Sequence, residues 1–326
     1  MGEPTELLSR TCTYGDSQKG NKLQTFFIVN PLSRCGATAR IWQHVEKQVR
    51  GWGWDYQWAF TEGPGHGTSL AASALEDGCQ MVVAVGGDGT LHEVINGFFR
   101  NGKKIRADAL LGLLPSGTGT DFAKTIGVPL LMEKAARQLL HGNPHPVDLG
   151  WITCEDLQGR RIQRLFANIA EGGLGGEVVR RVNSRKKRGG TVPFLAGAIR
   201  SLFGYQPQPV RVQIDDRTER KIEALFVIVA NGKFYGGGMK IAPQAEPDDG
   251  LFDVVLIRDL SAFKVLRNIY RIYTGSHIQL PEVEVLRGKK VRLESEGELL
   301  LEADGELLGK TPAEFEIWPH AIQVRC

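Results

Sequence analysis

The sequence predicts an α/β N-terminal domain built on an open parallel sheet, followed by a mostly antiparallel, β-sandwich-like C-terminal domain. Three observations carry this. The chain has 326 residues, and at roughly 100–200 residues per domain that length accommodates two. From Leu23 to about Pro146 short apolar runs alternate with amphipathic stretches, the grammar of strand–helix–strand units. Beyond about His145, strand-like segments follow one another between glycine and charged turns, with few helices; that is the pattern of a sandwich or flattened barrel.

In the first part, Gln24–Val29 (QTFFIV) reads as a strand, and Ala37–Arg50 as a helix with Ile41, Trp42, Val45 and Val49 on one face. Trp54–Phe60 is a second strand and Thr68–Glu76 a short alanine-rich helix. Met81–Val85 (MVVAV) is apolar throughout, as a parallel strand covered on both faces should be. Glu93–Phe99 is helical, Leu110–Leu114 another buried strand, and Met132–Leu140 another helix. Gly142–Pro146, with two prolines, is the linker candidate, so the domains are read as 23–143 and 147–326, with the C-terminal segment packing back onto the first. In the second part, Leu165–Ala170, Val210–Ile214, Glu223–Ala230, Phe252–Ile257, Val283–Leu286, Lys290–Glu294 and Leu299–Glu302 read as strands. Gly175–Val182, Phe194–Phe203 and Ala262–Tyr273 read as helices.

Composition is that of an ordinary globular chain: 42% hydrophobic, 24% charged, formal net charge +3. The near-neutral balance gives no support to nucleic-acid binding. Five scattered cysteines without a CxxC pair argue against a disulfide framework or a zinc site and fit a reducing compartment. The longest apolar runs, such as Ala224–Ala230, are far short of the ~18 residues of a membrane span. The polar N-terminus lacks a signal-peptide core, so a cytoplasmic protein is expected. Glycine is the outlier, with 40 residues or nearly twice the usual ~7%.

Two glycine-rich segments repeat one design. In Met81–Asn96 (MVVAVGGDGTLHEVIN) a buried strand runs into Gly86-Gly87-Asp88-Gly89-Thr90, and a helix starts at once. Small residues let the backbone approach a phosphate, and free amides at the helix start supply donors. A carboxylate at Asp88 would repel polyphosphate unless a cation lies between, which points to Mg–nucleotide. A plain βα turn with Asp88 as N-cap is the alternative. Leu110–Ala123 (LLGLLPSGTGTDFA) does the same through Ser116–Asp121, placing two donor-rich loops on one carboxyl edge of the sheet. Neither loop is a Walker A or a GxGxxG sequence. Asn30–Gly36 and Thr61–His66 bring further small and hydroxyl residues to that edge.

This combination resembles the diacylglycerol kinase catalytic family, which includes bacterial lipid kinases and sphingosine and ceramide kinases and is more distantly related to NAD kinases. The resemblance runs from about Leu23 to the C-terminus. It implies that Gly86, Gly87, Asp88, Gly89, Thr90, Leu91 and His92 cradle ATP phosphates, helped by Asn30, Pro31, Leu32, Ser33, Arg34, Thr61 and Thr118. Asp121 stands at the family's aspartate, a partner of Asp88 in the Mg²⁺ environment. Thr120 departs from the asparagine usual there, keeping a hydroxyl and losing an amide.

Leu299–Glu306 (LLLEADGE) is a strand delivering Asp304-Gly305-Glu306. Asp-Gly is also the strongest hairpin-turn dipeptide. The resemblance implies that Asp304 and Glu306 are the catalytic acidic pair, with Glu306 favoured as proton acceptor. It further implies a structural Mg²⁺ held by Asp249 and by the carbonyls of Glu246 and Leu251, in the acidic run Ile241–Asp253. Arg180–Arg188 carries six basic residues, worth roughly 1 kcal/mol each at an anionic bilayer. Beside the apolar Thr191–Phe203 it is the expected peripheral contact with a membrane presenting the lipid; a solvated charged loop is the alternative. His92-Glu93-Val94-Ile95-Asn96 lacks the second histidine of a zinc HExxH site, and no GxSxG hydrolase elbow occurs.

The resemblance therefore implies an ATP- and Mg²⁺-dependent kinase for a lipid alcohol, diacylglycerol first, at the inner membrane surface. An NAD kinase-like enzyme, a sphingoid-base kinase and an inactive nucleotide- or lipid-binding regulator are the alternatives. Oligomeric state is open, with a homodimer among the options.

Overall fold

An unbroken apolar run makes a strand that can be buried on both sides, and the first half of the chain is assembled from such strands. The computed structural model describes residues 23–117, 119–184 and 200–326. β1 (Thr25–Val29), β2 (Tyr56–Phe60) and β3 (Met81–Gly86) pair in parallel, with β1 in the middle. After the two-residue ribbon β4 (Phe99–Arg100) and β5 (Lys103–Lys104), β6 (Leu110–Pro115) pairs in parallel with the other side of β3. Every residue of β3 is buried, as a central strand with helices on both faces requires. The helices are α1 (Ala37–Gly51), α2 (His66–Glu76), α3 (Asp88–Gly97), α4 (Asp121–Thr125) and α5 (Met132–His141). Trp42, Val45 and Val49 of α1 are wholly buried with Phe27, Met81 and Leu114 in one core cluster.

Pro144–Pro146, the second part of the expected linker, open the long strand β7 (Pro144–Glu155). Their partners are Gln323–Arg325 at the chain's end, and a strand start tolerates proline because few ladder donors are lost there. β8 (Arg161–Phe166) pairs with β7, and β9 (Ile169–Gly173) leads into the helix α6 (Leu174–Ser184). The remaining strands are β10 (Gln208–Ile214), β11 (Thr218–Ala230), β12 (Phe252–Arg258), β13 (Val283–Gly288), β14 (Lys290–Ser295), β15 (Leu300–Ala303) and β16 (Glu306–Arg325). All pairings among β7–β16 are antiparallel.

Alternation along these strands separates two apolar clusters. Val227 and Val229 of β11, with Phe252, Val254 and Leu256 of β12, face the sandwich interior. Ile228, Ala230, Val255 and Ile257 face outward. There they are covered by α6, Leu202 and the helix Ala262–Thr274, as the period of two demands. The 20-residue β16 connects both halves: it pairs with β15, β14 and β7, and its last residues, Gln323–Arg325, run parallel to Leu110–Gly112 of β6. The C-terminus is thus a strand of the first sheet.

Candidate active site

The carboxyl ends of β1, β2, β3 and β6 carry the predicted loops to one edge. Asn30 anchors its own turn by accepting the Leu32 N–H on Oδ1 (3.1 Å), and its Nδ2 donates to Thr90 Oγ1 (3.0 Å) in the first turn of α3. Thr61 follows β2, its N–H donating to Val29 O (2.9 Å). Ser33, Arg34 and Cys35 form a short turn before α1, and Arg34 and Cys35 hold φ of 52° and 54°. Thr38 and Ser116 hydroxyls meet at 2.7 Å, fastening that turn to the second glycine loop.

The two glycine loops touch backbone to backbone. A Cβ on Gly117 would stand 2.9 Å from Gly87 Cα, so only glycine permits this approach. Asp88 lies at the seam, its carboxylate accepting the N–H of Asp121 (3.0 Å) and of Phe122 (3.3 Å) at the start of α4. Burial, with repulsion from Asp121 and Asp304, pushes Asp88 up to about 6 despite those bonds. Asp121 is already engaged at both oxygens, with Lys124 Nζ on Oδ1 (2.7 Å) and the N–H of Gly237 on Oδ2 (2.7 Å). Thr120 sits in the left-handed region (φ 48°), its hydroxyl donating to Gly119 O (2.7 Å). Thr118 lies outside the described residues.

The carboxylates of the other half arrive on a hairpin. Ala303 pairs with Glu306, and the turn residues Asp304 (φ 50°) and Gly305 (φ 86°) have the backbone of a two-residue hairpin turn. The Asp304 side chain is 3% exposed. It accepts the N–H groups of Ala167 (2.9 Å), Asn168 (3.0 Å) and Ile169 (3.2 Å), and faces His92 Nδ1 at 3.3 Å. An ionised carboxylate with four donors is fully used. His92 Nε2 stands 3.5 Å from Asn96 Nδ2, whose two hydrogens already go to His92 O (2.9 Å) and Leu165 O (3.0 Å), so it is the acceptor at Nδ1, Asp304, that assigns the Nδ1–H tautomer. Glu306 is exposed, and its Oε1 lies 3.5 Å from the point a Cβ on Gly89 would occupy. The predicted acidic pair and the first glycine loop are thus neighbours in space.

Family models match both halves: a diacylglycerol kinase catalytic domain over residues 24–152, and a YegS C-terminal NAD kinase beta sandwich-like domain over residues 168–326. A diacylglycerol kinase of Mycobacterium tuberculosis is 30% identical over 299 residues, covering 91% of this chain and 93% of that protein. The chain belongs to the diacylglycerol kinase catalytic-domain family. A Chromohalobacter salexigens protein named "Probable lipid kinase YegS-like" is 33% identical over 248 residues, 74% of each chain. The fold matches a Bacillus anthracis diacylglycerol kinase crystal structure with a TM-score of 0.69 at 20% identity, over 94% of this chain and 98% of that one. Family membership makes this chain a kinase-type phosphotransferase with a lipid or alcohol acceptor and ATP as co-substrate. No helix among the described residues is long and apolar enough to cross a membrane.

Other sequence candidates have different surroundings. Asp249 and Leu251 share a turn, the Leu251 N–H donating to Asp249 Oδ1 (3.0 Å), but Arg287 pairs with Asp249 Oδ2 and reaches Asp253 at 3.3 Å. The Glu246 carboxylate is 3.9 Å from Lys233 Nζ. Among the described residues no three ligating side chains converge on one point, so an ion in this turn would rely on carbonyls and compete with Arg287. In the basic run, Arg180 and Arg181 both pair with Glu177 at 2.6 Å; residues 185–188 lie outside the described residues.

Sequence reasoning missed three parts of the site. The Ala167–Ile169 amides that hold Asp304 leave no side-chain trace. Lys124, which pairs with Asp121, and the Gly237 N–H that donates to it come from separate segments; the Gly236-Gly237-Gly238 run was the available signal. Glu302 and Glu171 stand opposite each other in β15 and β9, both buried. Burial raises the pKa of each, and Glu302 Oε2 accepts the Gly305 N–H (2.8 Å), bracing the turn that carries Glu306. A glutamate inside the apolar run LLLEA was the signal for that pair.

Proposed function

We propose that this chain is an ATP-dependent lipid kinase that phosphorylates the hydroxyl of a lipid alcohol, diacylglycerol first, with Glu306 as the proton acceptor. The observation that carries the proposal is the position of Glu306 against Gly89, at the start of α3, where free amides favour a phosphate. As the lipid oxygen forms its bond to the γ-phosphorus, its proton passes to a Glu306 oxygen, and the bond to ADP breaks. Asp304, saturated with donors, orients the turn and does not take the proton. That division of roles is supported by the four donors facing Asp304 and by the position of Glu306 at the loop edge.

A divalent ion fits the donor set here. Asp88 is a buried oxygen ligand whose charge is incompletely compensated, beside Asp121 and Asp304, and Mg²⁺ is ordinarily held by one or two carboxylates plus substrate phosphates. When bound with the nucleotide, such an ion supplies charge neutralisation of the phosphates. Diacylglycerol is the preferred acceptor because relatives along nearly the whole chain carry that name. The test is turnover of ATP with diacylglycerol, a sphingoid base and NAD offered separately in mixed micelles. Diacylglycerol should give the highest kcat/KM; turnover with NAD alone would overturn the lipid reading.

A further inference from the structure

We propose that the outward face of the helix Ala262–Thr274 is a docking surface for an anionic bilayer, an inference that rests on the lipid-kinase reading above. On this helix Val265 and Ile272 pack inward with the outer apolar cluster. On the opposite face, at i, i+4 and i+7, stand Phe263, Arg267 and Tyr270, flanked by Tyr273. Phe263 is 75% exposed, Tyr270 59% and Tyr273 54%. Phe203, 66% exposed, follows Leu202, which packs on the same cluster. A stripe of large aromatic side chains turned away from the core is not explained by folding.

Charge selects the occupant. The helix carries Lys264, Arg267 and Arg271 and no acidic residue. Lys264 pairs with Glu282, whereas Arg267 and Arg271 have no ion pair among the described residues. The Arg271 guanidinium stands 5.9 Å from the Tyr270 ring centroid, near the limit of a cation–π contact. Aromatic rings with uncompensated arginines match the headgroup layer of an anionic membrane. A second copy would set the same arginines against one another across a two-fold axis.

The face is also linked to the active site. Ile272 O accepts the N–H of Lys240 (2.9 Å), and the Gly237 N–H, three residues earlier in that loop, donates to Asp121 Oδ2 (2.7 Å). One loop therefore joins the end of this helix to the second glycine loop.

The test is cosedimentation of the full chain with phosphatidylcholine vesicles, with and without phosphatidylglycerol, without ATP. Wild type should bind the anionic vesicles, less at high salt. The variants Phe263→Ser/Tyr270→Ser and Arg267→Glu should each cut the bound-to-free ratio about tenfold or more, with unchanged melting temperature and unchanged turnover of a water-soluble short-chain diacylglycerol. Unchanged vesicle binding in both variants would overturn the proposal. So would a wild-type dimer by light scattering that the aromatic variant turns into monomer. Vesicle binding without turnover of any lipid would leave the docking surface supported and count against the kinase reading.

Discussion

His92 Nδ1 and Asp304 Oδ2 stand 3.3 Å apart, joining the helix of the first glycine loop to the hairpin that carries the acidic pair. Through this contact and the amides of Ala167–Ile169, Asp304 becomes a fixed point, and its neighbour Glu306 projects over Gly89. The two carboxylates therefore have different environments, one buried among donors and the other exposed beside the loop.

Glu306→Gln should lower kcat about 10²–10⁴-fold, the range for losing a general base. The KM for ATP should stay near wild type, since the glycine loops are untouched. Steady-state kinetics with the lipid saturating separates the two parameters.

Asp304→Asn has a different signature. The amide offers one acceptor oxygen to a site lined by donors, and a buried group left unpaired costs roughly 1–3 kcal/mol. Melting temperature and kcat should fall together, measured by calorimetry and turnover, whereas Glu306→Gln, at an exposed position, should lower kcat with the smaller change in melting temperature.

Asp88 gives a pH dependence with a definite sign. Its folded-state value, about 6, lies above the ordinary 3.8. The folded state therefore holds the proton more tightly, and stability falls as pH rises from about 4 to 6. The corresponding strain in the charged form is roughly 3 kcal/mol. The stability of Asp88→Asn relative to wild type should rise by roughly 3 kcal/mol between pH 4 and 7, on top of a pH-independent loss of about 1–3 kcal/mol because the Asp121 or Phe122 N–H is left facing the amide NH2; paired denaturation curves measure both. The same substitution should abolish most kinase activity.

Thr120 is a β-branched residue at φ 48°, where asparagine is far better tolerated. Thr120→Asn should raise stability by about 1 kcal/mol with activity retained, checked by urea unfolding.

Much of the site could be read from the chain because its chemistry is concentrated in short runs. GGDGT and SGTGTD each follow a buried strand, and the alternation of strands and helices fixes which edge they share. The hairpin reading of Asp304-Gly305 is what the structure shows, and the tight turn sets Glu306 beside Gly89, where the proposed catalytic role needs it. What escaped was carried by backbone or by long range. The strand β16 hides behind Gly309, Pro312 and Pro319, and its ladder with β7 shifts register between Lys310 and Glu314 and between Trp318 and Ile322. Its alternation therefore breaks where the sequence would be scanned for it. β7 begins with prolines that look like a linker. The cradle of Asp304 consists of main-chain amides more than 130 residues away in sequence, and no residue type advertises it.

The measurement that bears most directly on the account is transfer of label from γ-labelled ATP into a total lipid extract, with the product identified, for wild type and Glu306→Gln side by side. The account predicts a labelled phospholipid, phosphatidic acid foremost, from wild type, and its near-absence with Glu306→Gln, which still binds ATP. Label confined to a water-soluble nucleotide product, or equal lipid labelling by the two proteins, would contradict it.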